Sequence, residues 1–256
     1  MAKKPAYNTS FVVKFYEHFV EGLMKGEQLI IDFAGDQLKN WRMLDIGIGA
    51  GRTTRHFAPR VKEYIGIDYS ERMIAVVRKK FLHPEPHVSF QVADIQSVPH
   101  IADGSIDLCL FSFNGLDCNP YEERIKGLKE ISRILKPGGY FLFCTHNLQA
   151  IDVIFQFEST KNPVKVAYTI AKILLLHLLL GSVNKLKKRD HIYIRDAAHL
   201  FRVKHMYVTP AEQIRQLREN GFTDIRLFAY PEPDELTGRD PASITDSAFI
   251  FFLARK

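Results

Sequence analysis

Met43-Leu44-Asp45-Ile46-Gly47-Ile48-Gly49-Ala50-Gly51-Arg52-Thr53-Thr54 reads as a short apolar strand, a turn with three alternating glycines, and the start of a helix. Glycine bends the chain sharply and lets another group come close to the backbone. Between a strand and a helix N-terminus, such a turn is a common nucleotide-cofactor site in doubly wound α/β domains. The spacing is Asp-x-Gly-x-Gly-x-Gly, which differs from the Gly-x-Gly-x-x-Gly of dinucleotide-binding folds. Alone, the turn is also compatible with a purely structural role.

Outward from this stretch, strands and helices alternate. Strand one is Met43 to Ile46, and a helix runs from Gly51 to about Phe57. Strand two is Tyr64 to Ile67; Ser70 then caps a helix carrying Met73, Val76, Val77 and Phe81. Strand three is Val88 to Val92 and strand four Ile106 to Phe111. Asn119-Pro120 opens a helix, with Asn119 as its cap, and Lys136-Pro137-Gly138-Gly139 ends it before strand five, Tyr140 to Thr145. This order implies a parallel sheet with right-handed crossovers. After residues 148–208 break the pattern, Thr209 caps one more helix, followed by strands at Phe222 to Tyr230 and Ala248 to Leu253. Two consecutive strands imply a terminal hairpin with one antiparallel strand. Upstream, residues 8–40 carry two helical patterns: Phe11, Phe15, Phe19 and Leu23, then Leu29, Ile30, Phe33 and Leu38.

The chain has 256 residues, 46% of them hydrophobic and 25% charged, with a formal charge of +6. This suits a single soluble domain over 1–256, with a helical cap at 8–40 and an insertion at 148–208. The three cysteines, Cys109, Cys118 and Cys144, contain no Cys-x-x-Cys pair. That argues against a disulfide framework or a zinc site, leaves no metal site expected, and points to a reducing, cytoplasmic compartment. The N-terminus shows no signal peptide.

If the glycine turn holds a cofactor, the end of strand two should offer an acid to a ribose, and the end of strand three a polar group to a base. Asp68 and Asp94 occupy those places. Three features in register at the C-terminal strand ends form the site where ligands bind in open α/β sheets.

On these residues the chain resembles the class I S-adenosylmethionine-dependent methyltransferases, in particular the small-molecule branch related to ubiquinone biosynthesis. The matching stretches are Leu44 to Arg52, Ile67-Asp68-Tyr69-Ser70 with Met73, Ala93-Asp94-Ile95, Phe111-Ser112-Phe113-Asn114 and Leu135 to Gly139. The resemblance implies a Rossmann-like α/β three-layer sandwich whose seven-stranded, mostly parallel sheet has the order 3-2-1-4-5-7-6. It implies S-adenosylmethionine as cofactor. Asp45, Gly47, Ile48, Gly49, Gly51 and Arg52 would form the turn that holds the methionine end. Asp68 would bind the ribose, Tyr69 and Met73 would flank the adenine, and Asp94 and Ile95 would meet its amine. Phe111 and Ser112 would face the amino-acid part.

The implied reaction is methyl transfer to a small-molecule oxygen, nitrogen or carbon. His146, just past strand five, is the first candidate for a general base, with His191, His199 and His205 behind it. Asn114 is the candidate for orienting the nucleophile. Asn119-Pro120-Tyr121 superficially resembles the Asn-Pro-Pro-Tyr of nucleic-acid amino-methyltransferases, but it lacks one proline and lies too far past the strand. The rivals are a nicotinamide oxidoreductase, disfavoured by the glycine spacing, and a protein that binds the cofactor without turnover.

The insertion would form a substrate lid, as it does in the family. Val164 to Gly181 is apolar apart from a stripe at Lys165, Thr169 and Lys172, and no acid occurs between Lys161 and Arg189. The bland expectation is a buried lid helix with a solvated basic end. The alternatives are peripheral membrane contact through 161–189 serving a lipid-like substrate, and an anionic substrate or nucleic acid. Nucleic acid is disfavoured because no aromatics interleave with the basic run. Ile192 to Ile194 and His199 to Val203 alternate like a hairpin over the pocket. The chain is expected to be a monomer or homodimer.

Overall fold

The computed structural model describes residues 9, 13, 22–83, 85–156, 161–196 and 203–256. Phe11, Phe15, Phe19 and His199 lie outside the described residues.

Helix α1 (Lys25–Ala34) precedes β1 (Arg42–Ile46), α2 (Thr54–Phe57), β2 (Glu63–Asp68), α3 (Glu71–Lys80), β3 (Val88–Val92) and β4 (Ile106–Phe111). Then come α4 (Tyr121–Ile134) and the long β5 (Leu135–Asn147). The insertion supplies α5 (Pro163–Leu180), α6 (Val183–Leu186), β6 (His191–Ile194) and β7 (His205–Val208). The chain closes with α7 (Pro210–Glu219), β8 (Thr223–Phe228) and β9 (Phe249–Arg255).

The strands β3-β2-β1-β4-β5 are parallel neighbours. Antiparallel β9 pairs with β5, and β8 pairs with β9. With β9 as the seventh strand and β8 as the sixth, this is the expected 3-2-1-4-5-7-6 order. The sheet also holds two strands from the insertion. Strand β9 occupies one edge of β5 from Tyr140 to His146, while β7 pairs with His146 and Asn147 in parallel. A strand has two edges, so β7 takes the edge where β4 has already ended. The β6–β7 hairpin therefore extends the sheet past the C-terminal end of β4. Its first strand matches the sequence expectation. Its second lies at 205–208, later in the chain than 199–203.

Period-two alternation sends successive side chains to opposite faces. Leu44 and Ile46 join a core with Leu128 and Ile131 of α4 and Leu217 of α7. Met43, Leu108 and Leu110 join another with Ile30 of α1, Phe57 of α2, and Ile74 and Val77 of α3. The sheet is thus sandwiched between helical layers. Cys109 and Cys144 are fully buried within these cores.

Two local expectations are corrected. Asn119 does not cap α4; its amide donates to the carbonyl of Leu116 at 3.0 Å, holding the 3-10 turn Gly115–Cys118 instead. Lys136-Pro137-Gly138-Gly139 lies within β5 and is not a stop before it. A register shift between Ile106 and Leu108 lets β5 pair on both sides of the irregularity.

Gly26 of α1 lies directly against the Phe251 ring, which a Cβ would meet at 2.3 Å. Gly26→Val should destabilise the fold by about 1–3 kcal/mol through overpacking, read as a lower urea midpoint at unchanged slope.

Candidate functional site

The glycine turn is built by backbone geometry that only glycine adopts cheaply. Gly47, Gly49 and Gly51 have φ of +66°, +53° and +82°. The turn is pinned to β2: the amides of Gly47 and Ile48 donate to the Ile67 carbonyl at 2.8 and 3.1 Å. The Asp68 carboxylate accepts from the Gly49 amide at 3.0 Å and from the Ser70 amide at 2.8 Å. Ser70 caps α3, as its sequence position predicts. Asp68 therefore joins the turn, β2 and the start of α3.

A cleft opens at the C-terminal ends of β1 to β4. Gly47, Gly49, Asp68, Tyr69, Met73, Asp94, Ile95, Phe111 and Ser112 all line it. The lining is mainly apolar, its charged members are the carboxylates Asp68 and Asp94, and no lysine or arginine is among its described residues. A Cβ on Gly49 would meet no atom within 4 Å, so the chain leaves open space beside that backbone.

Asp45, Ile48, Gly51 and Arg52 do not line the cleft among the described residues. Asp45 sits beneath the turn, fully buried, accepting from Thr53 at 2.5 Å and Tyr64 at 2.6 Å. Burial pushes its carboxyl up to about 6, against the pull of those two hydrogen bonds. Arg52 turns to fully buried Glu27 of α1, with contacts of 2.7 and 2.5 Å, and donates to Ser112 at 2.6 Å. Ser112 also donates to Glu27. This Glu27–Arg52–Ser112 network ties α1 to the glycine turn and to the end of β4. Glu27, in an apparently ordinary helix, carried no sequence signal.

Sequence reasoning also missed Phe113, Cys118 and Asn119 in the cleft wall. Phe113 and Asn114 both have positive φ, +49° and +56°. For residues with a Cβ this costs roughly 1–2 kcal/mol each and persists only where surroundings enforce it. Asn114 is itself buried, and its side-chain oxygen has no partner among the described residues.

His146 does not line the cleft among the described residues. Its ring and its backbone amide both bond to Asp117, at 2.7 and 2.8 Å. The ring also packs against His205, Tyr207 and Phe249. Asp117 is fully buried and ion-paired with buried Arg124 at 2.7 Å. Arg124 also donates to Thr145 at 3.2 Å and to Gln216 and Gln213 of α7. Burial alone would raise the Asp117 carboxyl, but Arg124 and His146 more than reverse this and hold it below the ordinary value.

Behind Cys118 lies a second polar group. His205 of β7 bonds to Asp196 at 3.0 Å, Tyr207 donates to the same carboxylate oxygen at 2.9 Å, and His205 also hydrogen-bonds Cys118. Burial alone would lower the His205 imidazole, yet Asp196 and then Cys118 raise it to about 10. His191 stacks on Tyr121, with ring centroids 4.5 Å apart.

Residues 43–139 match a family model described as a methyltransferase domain. Over 126 residues the chain is 31% identical to the uncharacterized methyltransferase YcgJ of Bacillus subtilis, covering 48% of each. Over 157 residues it is 29% identical to the ubiquinone/menaquinone biosynthesis C-methyltransferase UbiE of a Geobacter species, covering 58% of this chain and 65% of that one. The chain thus spans about half to two thirds of the length of these relatives. An S-adenosylmethionine dependent methyltransferase from Mesorhizobium loti superposes with a TM-score of 0.58 at 18% identity, over 90% of this chain and 98% of that one. The 1,6-didemethyltoxoflavin-N1-methyltransferase of Burkholderia thailandensis, solved with its substrate and S-adenosylhomocysteine, superposes at 0.56 and 14% identity, over 90% and 76%. These likenesses show the fold.

Arg124→Ala should destabilise the protein by about 3–5 kcal/mol, because it strands the buried Asp117 charge, and adding Asp117→Asn should recover part of the loss in urea unfolding. The His205 imidazole is raised above its unfolded value of 6.5. Its stabilising contribution is therefore complete below that value and lost as pH rises through about 10. Denaturation series across that window should show an alkaline loss of stability that His205→Gln flattens.

Proposed function

We propose that this chain, a class I S-adenosylmethionine-dependent methyltransferase by its matched domain and fold and one that resembles the ubiquinone-type enzymes, transfers a methyl group from that cofactor to a small-molecule acceptor. The observation that carries the reading is the joint placement of the Gly47–Gly49 turn, Asp68 and Asp94 around one cleft without a cationic lining residue. Such a lining suits an adenosyl group bearing a cationic sulfonium. The Asp-x-Gly-x-Gly-x-Gly spacing and the antiparallel β9 beside β5 support the methyltransferase reading over an oxidoreductase.

The residues present fit that cofactor. The open space at Gly49 admits a ligand against the backbone. Asp68 lines the cleft and accepts from the amides of Gly49 and Ser70, and its carboxylate would accept from ribose hydroxyls. Asp94, which accepts from Gln96, retains the same capacity for an adenine amine. Met73 and Tyr69 supply apolar flanks, and Phe111 and Phe113 narrow the mouth.

When bound, the cofactor supplies an electrophilic methyl on sulfur, so the protein's main task is to orient and desolvate. Ser112, held by Glu27 and Arg52, fixes the wall beside the methionine end. Phe111 and Phe113 exclude water from the line of attack. Asn114, held in a left-handed conformation with a buried unpaired oxygen, is positioned to orient an acceptor that donates a hydrogen bond. The insertion forms the acceptor-side lid: Tyr193 of β6 donates to the Cys118 carbonyl at 3.2 Å, seating the hairpin on the cleft wall. His146 stays the candidate general base: its Nδ1 bond to Asp117 would orient the ring, which does not line the cleft among the described residues. The relatives' names include carbon and nitrogen methylation, so the acceptor atom stays open among oxygen, nitrogen and carbon.

Calorimetric titration should show binding of S-adenosylmethionine and S-adenosylhomocysteine but not NAD. Asp68→Ala should weaken both by at least about tenfold, consistent with loss of charge-assisted hydrogen bonds worth ~1.5–3 kcal/mol. Binding of NAD alone would overturn the reading. A labelled-methyl transfer assay then separates turnover from binding without turnover.

A further inference from the structure

Helix α5 is inside out for a soluble protein. A surface helix normally turns its apolar stripe inward and its polar face to water. Only Thr169 and Leu176 are buried in α5. Val164, Leu174, Leu178 and Leu179 are 75%, 66%, 83% and 59% exposed. This corrects the expectation of a buried lid helix. Exposed apolar surface of this extent marks an interaction site.

We propose that α5 and the basic segment after it dock this protein on the surface of an anionic lipid bilayer. Charge identifies the occupant. Residues 161–189 contain seven cations and no acid: Lys161, Lys165, Lys172, Lys185, Lys187, Lys188 and Arg189. Lys187 is engaged by Asp152, whereas Lys161, Lys165, Lys185, Lys188 and Arg189 are exposed. They stand at both ends of the apolar face. Apolar side chains bordered by cations match the acyl boundary of a bilayer with anionic headgroups above it. A second copy of the chain fits poorly, because it would bring the same cations together.

The helix lies in the plane of the bilayer and does not cross it. By length and composition its 18 residues, about 27 Å, are enough to cross a membrane, but Lys165 and Lys172 lie within them. One side is also seated on its own domain, where Leu180 packs on the Leu148–Ile151–Leu186 cluster and His177 meets the Phe155 ring edge-on at 4.7 Å. The insertion follows the C-terminal end of β5, so docking brings the cleft-bearing edge of the sheet toward the lipid.

The test is flotation of the full chain with vesicles of phosphatidylcholine alone or mixed with phosphatidylglycerol, at low and high salt. The wild type should float with the mixed vesicles, bind the neutral ones roughly tenfold less, and lose binding as salt rises. Leu174→Glu/Leu178→Glu should lower binding at least about tenfold, with circular dichroism and S-adenosylhomocysteine affinity unchanged because both positions face outward. Lys185→Glu/Lys188→Glu should lower it and flatten the salt response. Failure to float, equal binding to both vesicle types, or a dimer in light scattering that Leu178→Glu dissociates would each overturn the proposal. The flotation and light-scattering outcomes do not depend on whether the cleft binds the adenosyl ligand.

Discussion

The site depends on one backbone constraint: three glycines at positive φ between β1 and α2. A Cβ at any of them is strained, and at Gly51 it would also meet Val77 at 2.6 Å. The turn is held from two directions. Asp45 anchors it from below through Thr53 and Tyr64, and Asp68 reaches across from β2 to the Gly49 amide. The acid at the end of strand two therefore has a structural task and faces the cleft as well. One carboxylate couples the shape of the turn to the place where a ribose would sit.

Around that turn the protein uses buried charge to fix elements that hydrophobic packing alone would leave free to slide. Glu27, Arg52 and Ser112 lock α1, the turn and the end of β4 into one geometry. Asp117 and Arg124 do the same for the 3-10 turn after β4, α4, β5 and α7. Removing one partner from such a network leaves an uncompensated buried charge, so each is a commitment to a single arrangement. Both networks lie at the C-terminal edge of the sheet, where precision of placement serves orientation of reactants.

The sheet order, the glycine turn, Asp68, Asp94 and the Ser70 cap were legible because each rests on local chemistry: periodicity, φ requirements, or a short polar side chain at a strand or helix end. Arg124, Glu27 and Asp117 were not legible. Nothing in a helix sequence distinguishes an arginine that faces water from one that faces a buried aspartate seven residues earlier. The same blindness gave Asp45 a place in the cleft when its partners lie beneath it, and gave Asn119 a capping position that falls to Pro120. For α5, composition alone could not tell whether an apolar helix is covered by its own domain or awaits another surface.

The most direct measurement of the central claim is a crystal structure with S-adenosylhomocysteine. The account predicts the ribose hydroxyls on the Asp68 carboxylate, the adenine between Tyr69 and Met73 with its amine at Asp94, and the amino-acid end against the Gly47–Gly49 backbone. A ligand bound elsewhere, or one in the cleft with Asp68 and Asp94 both turned away, would contradict it.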